Sequence, residues 1–395
     1  MSQVRVLHII TRLIVGGAQE NTIFTASLLD RSRWAVDILS GPQTGSEGSL
    51  IEEVRGRGIP LYLEPTLVRQ VNPLRDLPAL VRLARFIRHG RYQIVHTHSS
   101  KAGILGRWAA RLAGAPIVVH TVHGWGFHDH MSPLARQALI ALERWTAPLT
   151  DALIVVAESD IEKGLQAGIG RPGQYHLIRS GIPVEAFTPA RVDREAVRAG
   201  LGLPRQAPVL GTVGRLSAQK NPLDWVRVAS LVAQELPDCR FLLVGDGPLR
   251  AQMERSLAQQ GLSQRTVRTG LRRDVPEMLA AMDVFLMTSL WEGLPRAIPQ
   301  AMAMHIPVVA TNVDGVVEVV RHGQTGYLCA PGDLEGLAAW CLALLRDPAL
   351  CQAMGGQGGG EGVLEFDLPL MMGHLSDLYE NLCVTGRGRP GSVAE

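Results

Sequence analysis

The sequence predicts an α/β protein built from two Rossmann-like, doubly wound domains with a cleft between them. Three observations predict it. Short β-branched runs alternate with amphipathic stretches along nearly the whole chain, the pattern of parallel strands covered by helices on both faces. The rhythm breaks once, near the middle, where prolines and charges replace apolar runs. The chain's 395 residues also exceed what one hydrophobic core usually holds, so two domains of about 150 to 200 residues are expected.

In order, the strands of the first half are Val4–Ile10, Trp34–Leu39, Ile94–Thr97, Ile117–Val122 and Leu153–Val156. Those of the second half are Val209–Val213, Phe241–Val244, Val284–Thr288 and Pro307–Ala310. Helices are expected over Asn21–Leu29 and Asn221–Glu235, and from about Pro295 through Met304, because proline suits a first helical turn. Phe187-Thr-Pro-Ala-Arg-Val-Asp-Arg and Gly202-Leu-Pro-Arg-Gln-Ala-Pro lack a strand pattern and place a linker near 185–205. The expected domains are therefore 1–187 and 188–365, followed by a helix over 366–384 that crosses back to the first domain and a disordered tail over 385–395. The run Gly355-Gly-Gln-Gly-Gly-Gly is read as a poor helix interior, since each glycine costs about 1 kcal/mol relative to alanine.

Composition excludes several classes. Hydrophobic residues make up 46%, charged residues 19%, and the net charge is +2, values that fit neither a disordered chain nor a nucleic-acid-wrapping surface. The five cysteines (Cys239, Cys329, Cys341, Cys351, Cys383) form no Cys-x-x-Cys pair and read as thiols of a reducing compartment. No signal-peptide pattern opens the chain and no apolar run approaches the ~18 residues of a membrane span. A cytoplasmic protein is expected, at most attached to the inner face of the membrane.

The chemistry-bearing residues gather where strands end. Gly16-Gly17 follows the first strand at a helix start, where backbone N–H groups and the helix dipole favour an anion. The pair lacks the Gly-x-Gly-x-x-Gly spacing of dinucleotide binding. At the matching point of the second half, Gly211-Thr-Val-Gly-Arg-Leu-Ser-Ala-Gln-Lys-Asn puts Arg215 and Lys220 on one loop, able to grip one polyphosphate. His123 follows the strand Ile117–Val122 directly. His96 and His98 share a strand face, which raises a metal site. No Asp-x-Asp occurs in the chain and no acidic partner stands at ligand spacing, so none is expected. Glu292 lies at the carboxyl end of Val284–Thr288, with Gly293 permitting a sharp turn and Gln300 over a turn inside the following helix.

These residues together resemble the retaining glycosyltransferases of family 4, which have the GT-B fold. Gly16-Gly17, Val-His-Gly at 122–124, Gly-Arg-Leu-Ser-Ala-Gln-Lys at 214–220, Gly245-Asp-Gly-Pro, the Glu292 segment and Asp314-Gly-Val-Val-Glu318 carry the resemblance over nearly the whole chain. In that family a Glu-x7-Glu motif serves the donor nucleotide sugar. The chain matches it at Glu292 and departs at Gln300, whose amide still accepts a hydrogen bond from a ribose hydroxyl but without charge assistance. The resemblance implies Arg215 and Lys220 at the departing diphosphate, helix amino ends at Leu294 and Gly17 as N–H donors, and His123 at the donor sugar. It further implies Leu271 with its neighbours Gly270 and Arg272 at the base, and Glu318 near the phosphates.

The expected activity is retaining transfer of a hexose from a nucleotide sugar, UDP-linked by preference, to an acceptor hydroxyl, with no metal and no cofactor. The acceptor is expected to be a sugar or a lipid-linked glycan. Residues 1–190 hold 20 Lys/Arg against 15 Asp/Glu, and the remainder 19 against 22. With Arg75, Arg82, Arg85 and Arg88 interleaved with leucines, the first domain suits an anionic membrane surface, although a solvated helix face explains the same pattern. Two rival readings are a non-catalytic sugar-nucleotide-binding partner subunit and a GT-B-fold sugar-nucleotide epimerase.

Overall fold

The computed structural model describes residues 3–43 and 47–386. The chain forms two compact units, Met1–Ser180 with Pro369–Glu395, and Gly181–Leu368. Residues 387–395 of the expected tail lie outside the described residues, whereas Thr385 and Gly386 close the last helix.

The first unit runs β1 (Val4–Ile10), α1 (Gly17–Leu28), β2 (Trp34–Ser40), α2 (Ile51–Gly56), β3 (Leu61–Leu63), α3 (Pro73–Gly90), β4 (Ile94–His98), α4 (Ser100–Ala113), β5 (Ile117–Val122), α5 (Pro133–Thr146), β6 (Ala152–Val155), α6 (Glu158–Gln166) and β7 (Tyr175–Leu177). Its sheet is parallel in the order β3-β2-β1-β4-β5-β6-β7. Alternate residues serve opposite faces. Leu7, Ile9, Val95 and Val118 pack with Leu83 and Ile87 of α3 and Ala102, Ala109 and Ala110 of α4. Ile10 and Ile38 pack on the other face with Ile23 and Ala26 of α1 and Val54 of α2.

The second unit runs α7 (Arg194–Gly200), β8 (Val209–Val213), α8 (Pro222–Glu235), β9 (Arg240–Val244), α9 (Arg250–Gln259), β10 (Thr266–Gly270), α10 (Val275–Ala280), β11 (Val284–Met287), α11 (Ala297–Ala303), β12 (Val308–Thr311), α12 (Val316–Val319), β13 (Gly326–Cys329), α13 (Leu334–Arg346), α14 (Pro348–Gly359) and α15 (Glu361–Leu364). Its parallel sheet has the order β10-β9-β8-β11-β12-β13. Trp225, Val228 and Val232 of α8 meet Phe241, Leu243 and Leu286 of the sheet and Leu337 and Cys341 of α13 in one core. The last helix, α16 (Leu368–Gly386), starts at the end of this unit and belongs from Pro369 onward to the first.

Several elements depart from the sequence expectation. β3, β7, β10 and β13 lack long apolar runs; β3, β7 and β10 are partly exposed edge strands. The stretch read as a linker contains α7, whose Arg194 and Arg198 both bind the Asp283 carboxylate, at 2.5 and 2.7 Å. Asp283 also accepts from Val209 N at 2.8 Å, so this helix is fastened to the sheet.

The glycine run is helical as far as Gly359. A Cβ at Gly355 would lie 2.0 Å from the His305 carbonyl oxygen and one at Gly359 2.0 Å from the His305 ring. These glycines let α14 approach the end of α11 more closely than any side chain allows, and that packing outweighs their poor intrinsic propensity. None of the five cysteines forms a disulfide; Cys239, Cys329 and Cys341 are buried, and burial pushes the Cys239 thiol up to about 12.

Candidate functional site

In the second unit the chain leaves β8 toward β9 on one side and β11 on the other, so the switch point of the sheet falls between β8 and β11. The loops after these strands are joined. Thr288, just past β11, donates from its hydroxyl to the carbonyls of Lys220 and Asn221 at 3.3 and 3.0 Å. Leu290 N donates to the Gln219 carbonyl at 2.8 Å. The Gln219 amide reaches the Trp291 carbonyl at 3.0 Å and Glu292 Oε2 at 3.4 Å.

Lys220 Nζ and Glu292 Oε1 are 2.5 Å apart in an ion pair whose carboxylate side chain is 6% exposed and whose ammonium side chain is 25% exposed. A third loop, after β12, completes the assembly. Asp314 accepts from the Glu292 backbone N–H at 2.7 Å, and the Thr311 hydroxyl donates to the Ser289 carbonyl at 2.6 Å. Arg215 and Lys220 line one small pocket with Thr212, Gly214, Met287 and Thr288. The structure thus brings Arg215, Lys220 and Glu292 together, 72 residues apart in sequence for the ion pair.

Two glycines explain how these loops approach. Gly245 has φ 136°, and a Cβ there would fall 1.9 Å from the Gly214 carbonyl oxygen. A Cβ at Gly247 would fall 2.5 Å from the Leu216 carbonyl oxygen. The Gly245-Asp-Gly-Pro segment therefore lies against the Arg215 loop, where Leu216 N bonds the Asp246 carbonyl at 3.0 Å.

The remaining candidates of this unit take different places. α11 is seven residues long and begins at Ala297, three residues beyond Leu294, so Leu294 N–H does not belong to its first turn as expected. Pro299, not Pro295, sits in that turn, where a missing N–H has no partner to lose. Gln300 then falls in the first turn of α11 and is partly exposed. Gly293 and Leu294 are buried in the connecting bend. Leu271 is 44% exposed at the carboxyl end of β10, and Glu318 stands on the four-residue α12 just after Asp314.

In the first unit, Gly16 precedes α1, which starts at Gly17 and not at Asn21. Gly16 is extended, and an added Cβ would meet only the far end of the Gln19 side chain, at 2.8 Å. The local fold does not itself demand glycine there. His123 follows β5 and is linked to a histidine group on one face of β1, β4 and β5. His8 Nδ1 and His98 Nε2 are 2.9 Å apart, and His98 Nδ1 and His123 Nε2 3.2 Å apart. His96 bonds the hydroxyls of Tyr379, on α16, and Thr121, both at 2.6 Å. Burial pulls the His8 pKa down to about 3 and holds His96 and His98 well below the ordinary histidine value, so these rings are neutral at pH 7.

The sequence reading missed His8, Gln219, Thr288 and Tyr379. A legible signal existed for His8 alone: it is a polar ring at mid-strand among apolar neighbours, in parallel register with His96.

Comparisons with known proteins agree with the fold. Residues 207–347 match the family described as "Glycosyl transferases group 1", and residues 16–181 match the "Glycosyl transferase 4-like domain". The chain is 32% identical over 389 residues to the UDP-Gal:alpha-D-GlcNAc-diphosphoundecaprenol alpha-1,3-galactosyltransferase of Escherichia coli, covering 97% of this chain and 98% of that one. Among solved structures it is similar to Anabaena HepE in complex with UDP and glucose, with TM-score 0.82 and 23% identity over 96% of this chain and 100% of that one. Sucrose-phosphate synthase of Thermosynechococcus elongatus matches with TM-score 0.81 and 21% identity, over 97% and 100% of the two chains.

Proposed function

The chain belongs to the group 1 glycosyltransferases and has their GT-B fold, and from that premise we propose that it transfers a hexose from a UDP-sugar, with retention of anomeric configuration, to a hydroxyl of a lipid-diphosphate-linked glycan. The observation that carries this reading is the junction of Arg215, Lys220 and Glu292 at the switch point of the second sheet.

Leaving-group stabilisation needs fixed positive charge where the diphosphate gathers negative charge. Arg215 and Lys220 supply it, and the loop that holds them is tied to the Glu292 loop by backbone and side-chain hydrogen bonds, so little reorganisation is required. Two such cations do the work that a divalent metal does in other transferases, and no cofactor is assigned. Glu292 is an acceptor for sugar hydroxyls. Its engagement with Lys220 and Gln219 makes it a poor nucleophile, which favours front-face attack by the acceptor with the diphosphate as base. Gln300 serves the ribose, Leu271 the base, Glu318 the phosphate loop, and Gly16, Gly17, Gly293 and Leu294 the close backbone approach. His123 donates a hydrogen bond to the sugar.

The acceptor assignment leans on the Escherichia coli relative, whose name specifies a diphosphoundecaprenol-linked GlcNAc. Within the first unit, α3 exposes Leu74, Leu77 and Val81 beside Arg75, Arg82, Arg85 and Arg88, with exposed Val71 just before the helix. Apolar side chains flanked by arginine suit the interface of an anionic bilayer. Among the described residues no helix is long and apolar enough to cross a membrane, so peripheral attachment on the cytoplasmic face is the proposed location.

The test is direct. A panel of nucleotide sugars is screened by thermal shift, since a bound donor raises stability with its excess over the dissociation constant. The stabilising donor is then incubated with polyprenyl-diphosphate-GlcNAc. Release of UDP with an axial anomeric linkage by NMR is expected. UDP binding without product would point to the non-catalytic subunit, and donor conversion without acceptor to the epimerase.

A further inference from the structure

His8, His98 and His123 form a head-to-tail chain of imidazoles. The His8 and His98 ring centres are 5.2 Å apart with planes 14° from parallel, while their facing nitrogens are 2.9 Å apart. For His98 and His123 the values are 5.5 Å, 25° and 3.2 Å. In each pair the centre separation exceeds the nitrogen separation by about two imidazole radii, so each hydrogen bond lies along the line of the ring centres. This is not how ligands surround a metal. Nitrogens of His8, His96 and His98 lie within 4.8 Å of one another, yet those of His8 and His98 face each other instead of converging on a common point. His96 stacks against His98 at 4.3 Å between centres, and both of its own nitrogens are engaged by hydroxyls.

A neutral imidazole carries one donor and one acceptor, so a chain of neutral rings has only two polarities. The His8 end decides between them. His8 is 0% exposed, and its Nε2 has no hydrogen-bond partner among the described residues. A buried N–H without an acceptor is rarer and costlier than a bare lone pair. His8 therefore carries its proton on Nδ1 and donates to His98 Nε2. His98 in turn carries its proton on Nδ1 and donates to His123 Nε2.

Resting on the reading of His123 as a donor-sugar contact, we propose that His98, with His8 at the buried end of its chain, is a positioning residue that fixes His123 in its Nδ1–H tautomer, so that the nitrogen not bonded to His98 is a hydrogen-bond donor to the sugar and never a base. The rotation of the His123 ring is set by the same bond. Tyr379 and Thr121 hold His96 against this chain from the side and keep the rings aligned.

The experiment is a long-range proton–nitrogen correlation spectrum of the full chain, labelled with nitrogen-15 histidine, at pH 7.5 without ligand. All three rings are expected to show the neutral Nδ1–H pattern. His98→Phe keeps a planar ring, somewhat larger than imidazole, and removes both bonds, and His123 is then expected to shift toward the Nε2–H form that a free neutral imidazole favours. Turnover with the stabilising UDP-hexose should fall about tenfold or more in His98→Phe while UDP binding changes less than about twofold, because UDP has no sugar for His123 to contact; a general packing defect would weaken both.

His8→Phe leaves the buried His98 Nε2 bare in turn, and the same preference for a bare lone pair should keep His98 protonated on Nδ1 and His123 in its Nδ1–H form. The wild-type spectrum decides the matter if His98→Phe does not fold. An Nε2–H His123 in the wild type, or a His123 spectrum unchanged in folded His98→Phe, overturns the proposal. A wild type that shows the expected tautomers yet binds no UDP-sugar would refute the functional reading alone.

Discussion

Acidification should dissolve the first unit while leaving the second intact. His8, His96, His98 and His120 are buried, with pKa values depressed chiefly by loss of solvation. In the unfolded chain each returns to about 6.5. The unfolded state then binds more protons than the native one at every pH below that value, so stability is intact above 6.5 and falls as pH drops toward the folded values. One pH unit below 6.5 each histidine costs a little over 1 kcal/mol, or roughly 5 kcal/mol for the four. That is comparable with the whole stability of an ordinary domain, about 5 to 15 kcal/mol.

All four residues belong to the first unit. The charged and polar groups facing them are Arg107 on α4, Thr97, Thr121 and His123 beside them on the sheet, and Tyr379 on α16. Arg107 disfavours a second positive charge and so reinforces the effect. The assay is hydrogen exchange read by mass spectrometry between pH 8 and 5.5, corrected for intrinsic rates. Peptides from β1, β4 and β5 should lose most of their protection, and peptides from β8 and β11 should serve as the internal control. Equal losses in the two units, or none in the first, would refute the reasoning.

Four further outcomes are expected. Arg215→Ala and Lys220→Ala should each lower turnover by about a hundredfold or more, measured as UDP release with circular dichroism confirming the fold; wild-type turnover in either removes that residue from the leaving-group site. Gln300→Glu should not tighten UDP-sugar binding by calorimetry, and a large gain would mark the amide as a defect. Gly355→Ala should cost about 1 to 3 kcal/mol because its Cβ would overlap the His305 carbonyl, read as a lower denaturation midpoint; an unchanged midpoint would show that α14 can move away. Reversing Arg75 and Arg85 to glutamate should abolish co-sedimentation with anionic liposomes at low salt, and unchanged sedimentation would place the membrane surface elsewhere.

Strands buried on both faces were legible because parallel sheets need continuous apolar runs, and nine such runs were found at or within a residue or two of their positions. Edge strands escaped because one side of each meets solvent or a short neighbour, so no composition marks them. Arg215, Lys220 and Glu292 were legible as candidate site residues because each follows a strand of one doubly wound sheet, whose strand order brings those carboxyl ends together, and His123 because it follows a strand of the other sheet. Helix starts were less legible: at α1 and α11 the structure decided by which N–H groups find partners, a competition spread over several residues.

Sequence by itself determined the alternation of strands and helices, and with it the residues that strand ends could present, because hydrophobic periodicity is a local property. Only tertiary structure decided that Glu292 is gripped by Lys220 and Gln219, that glycines at 355 and 359 serve helix contact, and that His8 reaches His123 through His98. Each of these is a pairing between residues distant along the chain, fixed by sheet order and close packing and leaving no mark on the local pattern.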